Sequence, residues 1–546
     1  MQFVVLVAFA LVFAPIDRPA WPVVAEPAAI LAILGGQVAA VVTWAAWTTR
    51  RRLRQLDRDP AGSAAVQRRH GTDTLILCAL LLAGLTASVW GTAWPQLVRE
   101  RWRLGVVYGL DELVILAPFF VTMIAAWAAM YPVDRAIRQL VMEANLWEGL
   151  PARPPWGVGR YLSFFLRHQV LIVALPMMLI VAANDFVQVR AEAIRRATRL
   201  YWGDQVVLVL IAGLILLLAP LLVRVIWSTS VLPASPLRAR LEAVSRRLGL
   251  RYRGILVWHS EGMAVNAAVI GVVPSLRYVL LSDGLIEKME DEKIEAVFGH
   301  EAGHVIHLHM PYYLLFAILS MLIVGGVSEL LFGRLRVDAS YVTLIAVAMI
   351  VGIWGLGFGW ISRRFERQAD LFGARTVAPS GSDCDVPCRV HASAAAGEDP
   401  APAAPDGLCA AGARIFSEAL GRIARLNGIA EDAHSWRHGS IASRVQFLRR
   451  VSADPAAARR FARTILGIKA VLVLGTAAGL IVAVWLYSDL LTGTTPGLEQ
   501  ARVGLWGWDV AAVRPCAPPG REGPPVAARA GRGADRRDEE FPLAQK

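Results

Sequence analysis

The residues His300-Glu301-Ala302-Gly303-His304 set two imidazoles four positions apart with a carboxylate beside the first. On a helix, positions four apart share one face about one turn apart, so both rings can reach a single divalent cation. Glu301 can reach a water held at that cation without itself being a ligand. Zn²⁺ lowers the pKa of such a water to about 7 and polarises a carbonyl, and Glu301 would accept the proton. These are parts for hydrolysing a peptide bond. The small residues Ala302 and Gly303 leave room for another backbone, although Gly costs about 1 kcal/mol of helix propensity.

Two rings need a third protein ligand. A His ten residues after the first would be one answer, but that position is Met310. His307 shares the face of His300 yet lies about 10 Å further along the axis. It is too far to share the ion, and His307 and His309 are read as interfacial residues. Downstream, the stretch "SRRFERQAD" offers Glu366 as the third ligand. Asp370, one turn later on the same face, can accept the free N–H of a ligand imidazole. Two apolar spans separate His304 from Glu366, and an even number returns the chain to its starting side. The competing reading of this stretch is a solvated helix laced with ion pairs through Arg363, Arg364 and Arg367.

The elements that must position these groups are mostly apolar. Of 546 residues, 55% are hydrophobic and 18% charged, and the mean hydropathy is +0.47. That composition argues against a soluble chain and for a polytopic membrane protein. Eighteen Trp suit the headgroup level. The net charge of +12 does not indicate a nucleic-acid partner, because the Arg residues cluster between apolar runs and no nucleic-acid-binding module is present.

A bilayer core takes about 20 apolar residues as a helix. Candidate spans are 22–47, 74–94, 106–131, 162–184, 203–227, 311–333, 341–361 and 467–488. The opening "FVVLVAFALVFAP" lacks the positive leader of a secretory signal, and either extends the first membrane helix or forms a span of its own. The Arg-rich loop 48–73 is assigned to the cytoplasm. Four spans later the catalytic segment faces the same side, against the trend of Arg190, Arg195, Arg196 and Arg199 on the opposite one. Residues 228–310 read as a soluble insert with short strands at "GILVWHS" and "RYVLLSDGL" and with "NAAVIGVVP" between them. "EDEKIEAVFGHEAGHVIHLHM" follows as one helix, joined to the next span at Pro311. The five Cys show no disulfide-scaffold spacing. Cys78 packs within a span, and Cys384, Cys388 and His391 imitate metal spacing in a segment whose composition speaks against a site.

The expected fold is mainly α: a polytopic transmembrane helical protein with a small α+β zincin-type catalytic domain at the cytoplasmic membrane face. Its parts are an N-terminal multi-span region 1–230, a catalytic region 231–376 including spans 311–333 and 341–361, and a low-complexity insertion 377–409. The catalytic part resumes at 410–466, a transmembrane helix follows at 467–488, and a disordered tail takes 489–546.

HEAGH, two spans, then Ser362-Arg363 with Glu366 and Ala369-Asp370 resembles the integral-membrane gluzincins, the zinc metallopeptidases that include CAAX prenyl proteases and HtpX-like proteases. "NAAVIGVVPSLRYVLLSDGL" resembles that family's segment before its zinc helix. "RHGSIASRVQFL" resembles its later His-Pro-…-Arg element, with His438 and Arg444 at matching positions and Gly439 where Pro is usual. The likeness covers 230–376 and 410–466 and leaves 1–230 unplaced. It implies one Zn²⁺ per chain on His300, His304 and Glu366, with Glu301 as the base and Asp370 in support. His438 and Arg444 would lie near the cleft, stabilising an oxyanion or binding substrate backbone. Asn266 and its neighbours would form an edge strand that pairs with an extended substrate.

The implied activity is a zinc metalloendopeptidase acting on membrane-associated or misfolded polypeptides. CAAX-type processing, or regulatory cutting of one transmembrane protein, would use the same chemistry. Lys occurs only at 288, 293, 469 and 546 against many Arg, which with abundant Ala suggests a GC-rich bacterial genome. That favours quality control in a bacterial cytoplasmic membrane. The rival from another class is a non-catalytic scaffold or transporter, for which Asp111 and Glu112 at the start of one span are the relevant acids. They are read as solvated by headgroups at the span's edge, and the intact Glu301 argues for an enzyme.

Overall fold

The computed structural model describes residues 1–13, 23–59, 62–149, 151, 153–200, 202–262, 264–378 and 407–486. Within hydrocarbon each backbone N–H and C=O must be bonded inside its own segment, and the long apolar runs accordingly fold as helices. Among the described residues eight are long and apolar enough to cross a bilayer, one for each expected span. The protein is a polytopic helical membrane protein with a small α+β domain.

The N-terminal half comprises α1 (Gln2–Phe13), α2 (Pro27–Arg58), α3 (Ser63–Gly91), α4 (Leu110–Trp147), α5 (Val158–Val189), α6 (Ala191–Thr198) and α7 (Gly203–Ile226). With 12 residues, α1 reaches about 18 Å, short of a bilayer core of about 30 Å. It is a separate helix that buries Val5, Ala8 and Phe9 in the bundle. The stretch 48–73, expected as a loop, is mostly helical. Its Arg-rich part continues α2, and Arg52 clasps Asp73 of α3 through two hydrogen bonds of 2.7 and 2.8 Å. Asp111 and Glu112 are not solvated as expected: each is 6% exposed, and both pair with Arg99.

The small domain follows α7. A four-stranded sheet has the order β1-β2-β4-β3, built from β1 (Thr229–Val231), β2 (Gly254–Trp258), β3 (Ala267–Ile270) and β4 (Tyr278–Ser282). Strands β2 and β4 run parallel, and β3 lies antiparallel to β4 at the sheet's edge. The helices are α8 (Pro236–Leu248), α9 (Asp283–Lys288), α10 (Asp291–Ile306), α13 (Ala410–Leu426) and α14 (Ile441–Ala453). Leu241, Val279, Leu281, Ile294, Phe298 and Phe416 form the core between sheet and helices.

Membrane helices α11 (His309–Arg334) and α12 (Ile345–Thr376) leave this domain and return to it, and α15 (Pro455–Leu486) closes the described chain. Three boundaries differ from the sequence reading. The helix carrying HEAGH stops at Ile306, and Leu308 takes a left-handed φ of 57°. Pro311 therefore lies inside the first turn of α11, where its missing N–H is not needed. In addition, α12 carries a span without interruption into the Glu366 segment, and α15 runs straight through the expected 466/467 boundary. Most of the low-complexity insertion, including Cys384, Cys388 and His391, lies outside the described residues, as does the tail from 487.

Candidate metal centre

The site is assembled where α10 crosses α12, and two glycines set the distance between them. A Cβ at Gly303 would stand 3.1 Å from Phe372 Cβ and 3.2 Å from the Ala369 Cα. One at Gly373 would stand 2.9 Å from both the Ala296 carbonyl oxygen and the His300 nitrogen. Backbone contact this close brings Glu366 and Asp370 against the HEAGH face.

Two imidazole nitrogens and one carboxylate converge there, a group that could hold a metal ion. His300 Nε2 lies 3.3 Å from His304 Nε2. Glu366 places Oε2 at 3.7 Å from His300 Nε2 and Oε1 at 3.8 Å from His304 Nε2. A tetrahedral ion with bonds of 2.0–2.2 Å spaces its ligands about 3.3–3.6 Å apart. Two imidazoles and one carboxylate are also donors that Zn²⁺ accepts. The residues present therefore fit a zinc ion, with one position left open for substrate or water.

The far side of each ring is held. His300 Nδ1 stands 3.0 Å from Asp370 Oδ1 and finds no other partner among the described residues. Asp370 is gripped by the Arg444 guanidinium: Nε donates to Oδ2 at 2.8 Å, and Nη2 donates to Oδ1. The second ring has a different support. His304 Nδ1 lies 2.9 Å from His309 Nδ1, and His309 Nε2 lies 2.9 Å from Gln368 Oε1. With the Gln368 amide oxygen accepting, His309 carries its proton on Nε2 and offers the Nδ1 lone pair. His304 then donates through Nδ1, which leaves its Nε2 lone pair facing the other two ligands. His309 is fully buried and stacked on Phe365 at 4.4 Å, so the interfacial reading of this residue is corrected. The left-handed turn at Leu308 folds it back under His304. His307 is half-buried and offers its carbonyl to Lys469 Nζ at 2.8 Å.

Electrostatics suit these roles. Burial pulls the His304 pKa down to about 3, keeping the ring neutral as a ligand requires. Burial also lowers His300, but the Asp370 carboxylate outweighs it and the net shift is upward. Burial pushes the Glu301 carboxyl up to about 7. Glu301 is held by the sheet, since Val269 N–H of β3 donates to its Oε2 at 3.2 Å.

The remaining expected residues fall as follows. His438 sits in the turn between α13 and α14, with Nδ1 2.9 Å from Glu366 Oε1. Gly439 beside it has φ +76°, a conformation closed to the Pro usual in the resembled pattern. Arg444 is buried, engaged with Asp370 and 3.7 Å from Glu366 Oε2. Asn266 precedes β3; its backbone pairs with Ser282, and its Oδ1 accepts from Ala267 N–H at 3.0 Å. Sequence reasoning missed His309 and Gln368, and also Asn427, whose amide clasps both backbone groups of Val265 at 3.2 and 2.9 Å. No residue spacing marks Asn427. Gln368 stood inside the quoted "SRRFERQAD" stretch and could have been paired with a buried ring.

His300, Glu301, His304, Glu366, His438 and Arg444 line one cavity of about 1200 Å³. His300, Glu301, His304 and the β3 edge form one wall, while His70 of α3, Asp134 of α4 and Leu217 of α7 help form the other. The N-terminal helices thus enclose the site.

Comparison with known proteins places residues 232–452 in a match to Peptidase family M48. The chain is similar to Protease HtpX of Xanthomonas axonopodis pv. citri (strain 306), 31% identical over 132 residues, covering 22% of this chain and 45% of that protein. It is likewise similar to Protease HtpX of Xylella fastidiosa (strain 9a5c), 31% identical over 149 residues, covering 24% and 51%. The chain spans about half the length of these curated relatives. A solved structure, that of S. mikatae Ste24p, aligns with TM-score 0.42 and 12% identity over 79% of this chain and 99% of that one. The resemblance to integral-membrane zinc metallopeptidases read from HEAGH and its flanks is borne out over the matched segment.

Proposed function

We propose that the protein is a zinc-dependent integral-membrane endopeptidase that hydrolyses peptide bonds of membrane-associated or misfolded polypeptides. The observation that carries this is the convergence of His300 Nε2, His304 Nε2 and the Glu366 carboxylate, whose two oxygens lie 3.7 and 3.8 Å from the two rings, with Glu301 beside them and outside the ligand set. His300, His304 and Glu366 would hold the ion, which when bound polarises a carbonyl and acidifies water. Glu301 takes the proton of the attacking water and passes it to the leaving amine. A carboxyl pushed up to about 7 can do both near neutral pH.

Substrate is positioned by the β3 edge. Val269 N–H points at Glu301 rather than at β4, so with the two-residue period of a strand Ala267 and Val269 turn their backbone groups toward the cavity. An extended peptide can pair there, as strands are added to free sheet edges, and Asn266 orders the start of that edge. His438 offers a donor beside the centre. Arg444 acts through Asp370, as a positioning residue. The cavity wall built by α3, α4 and α7 keeps a bound segment next to the bilayer, at what we assign as the cytoplasmic face of a bacterial cytoplasmic membrane. A carboxylate at Glu301, beside the metal-binding group and outside it, favours an enzyme over a scaffold.

The test uses the full chain in detergent with an unfolded polypeptide substrate. Glu301→Gln is expected to retain about one zinc per chain and to lose cleavage by roughly 10²–10⁴-fold; undiminished cleavage removes Glu301 from the mechanism. Glu366→Ala is expected to lose the zinc, and full metal content in that variant puts the third ligand elsewhere. The inactive Glu301→Gln form is also the means to trap and identify substrates.

A further inference from the structure

A second polar cluster lies at the opposite end of α4. Asp111 and Glu112 in its first turn meet Asp185 near the end of α5, and one oxygen from each falls within 4.8 Å of the others. The side chains of Asp111 and Glu112 are 8% and 7% exposed. Arg99 supplies one positive charge, with Nε 2.8 Å from Asp111 Oδ2 and Nη2 3.2 Å from Glu112 Oε1. Asp185 accepts Gly109 N–H at 2.9 Å. When all three are ionised, the carboxylates against one guanidinium leave two negative charges, and the α4 N-terminus offsets only about half a charge. Glu112 Oε2 is fully buried and has no hydrogen-bond partner among the described residues. A buried carboxylate oxygen in that state needs a cation or a proton.

We propose that Asp111, Glu112 and Asp185 bind a divalent cation, Ca²⁺, at the membrane face opposite the catalytic cavity. The donors are all oxygen, as hard cations require. Two Ca–O bonds laid end to end reach about 4.6–5.2 Å, which accommodates the spread of the three oxygens. The position follows from α4 itself. Asp134 and Asn145 of the same helix line the catalytic cavity, and Asp111 to Asp134 is about 35 Å of helix. An ion there would pin α4 to α5, which also meet through Tyr161 and Asp134 near the cavity. Arg99 is 44% exposed and can yield as the ion enters.

The experiment is equilibrium binding of radioactive calcium to the full chain in detergent, stripped of metal and recharged with zinc. One saturable Ca²⁺ per chain is expected in the wild type. Asp185→Asn and Glu112→Gln are each expected to weaken it about tenfold or more, since ligand charge sets affinity at such sites, while zinc content stays at the wild-type level. A wild-type chain that binds no Ca²⁺ at millimolar concentration overturns the proposal, and a Tm that then rises on acidification assigns the pocket to a shared proton. Calcium binding unchanged in both variants overturns it too, because the ion is then held elsewhere.

Discussion

The His300 and Asp111 clusters share a core of carboxylates around one guanidinium and differ in construction. Glu301, Glu366 and Asp370 face Arg444 in the first; Asp111, Glu112 and Asp185 face Arg99 in the second. Each holds three carboxylates and one guanidinium. In the first, the guanidinium is buried and makes two bonds to one carboxylate, and both imidazoles are aimed from behind. In the second, the guanidinium is 44% exposed, and one carboxylate oxygen is left without a partner. Charge alone draws a cation into either pocket. Fixing the direction of lone pairs takes a second layer of side chains, which the His300 cluster has in Arg444 behind Asp370 and in Gln368 behind His309.

The largest effect should come from cutting that layer at its base. Arg444→Leu leaves the buried Asp370 carboxylate without its guanidinium and with the His300 ring as its remaining partner, which costs about 3–5 kcal/mol, read as a large fall in Tm together with weaker zinc binding. Arg99→Leu should cost far less, because its partner charges sit beside an exposed guanidinium and a cation can replace it. Equal losses of Tm in the two variants would break the distinction between a built pocket and a charged one.

A smaller effect is expected at the second ring. His309→Ala removes the group that fixes the His304 tautomer and should weaken zinc about 10–100-fold, the usual range for a partner of a metal-binding His. Zinc affinity measured by competition with a chelating dye checks this, and affinity within twofold of wild type would make His309 a packing residue only. Gln368→Leu should move affinity in the same direction and by less, since it acts one bond further away.

How legible this was in the sequence follows the same divide. Hydropathy located the eight long helices, because a bilayer imposes length and apolarity on each segment independently. The convergence of His300, His304 and Glu366 was legible because a four-residue spacing and an even number of spans are local or countable properties. His309 was not, because its role depends on a left-handed residue, Leu308, at a position with no Gly to announce it. The burial of Asp111 and Glu112 was not either: a span edge reads as solvated until Arg99 and Asp185, 12 and 74 positions from Asp111 in the sequence, are seen packed against it. The cavity wall formed by α3, α4 and α7 carries no residue pattern that distinguishes it from ordinary membrane helices.

The smallest effect concerns the turn that presents His438. Gly439 holds φ +76°, and a Cβ there would have as its nearest neighbours Ser443 Oγ at 3.4 Å and Arg363 Cδ at 3.6 Å. These are ordinary contacts, so Gly439→Ala should cost about 1 kcal/mol of backbone strain and no clash. Pro is worse on two counts, since its φ is fixed near −65° and it lacks the N–H that bonds the Ser435 carbonyl at 2.8 Å. His438 contacts the Glu366 oxygen that also faces His304. If orientation governs this centre, Gly439→Ala should lower kcat several-fold with zinc retained, and Gly439→Pro should lower it further. If charge governs it, both variants should cleave at the wild-type rate, because neither changes a charge; steady-state kinetics on one unfolded substrate at matched zinc content separates the two.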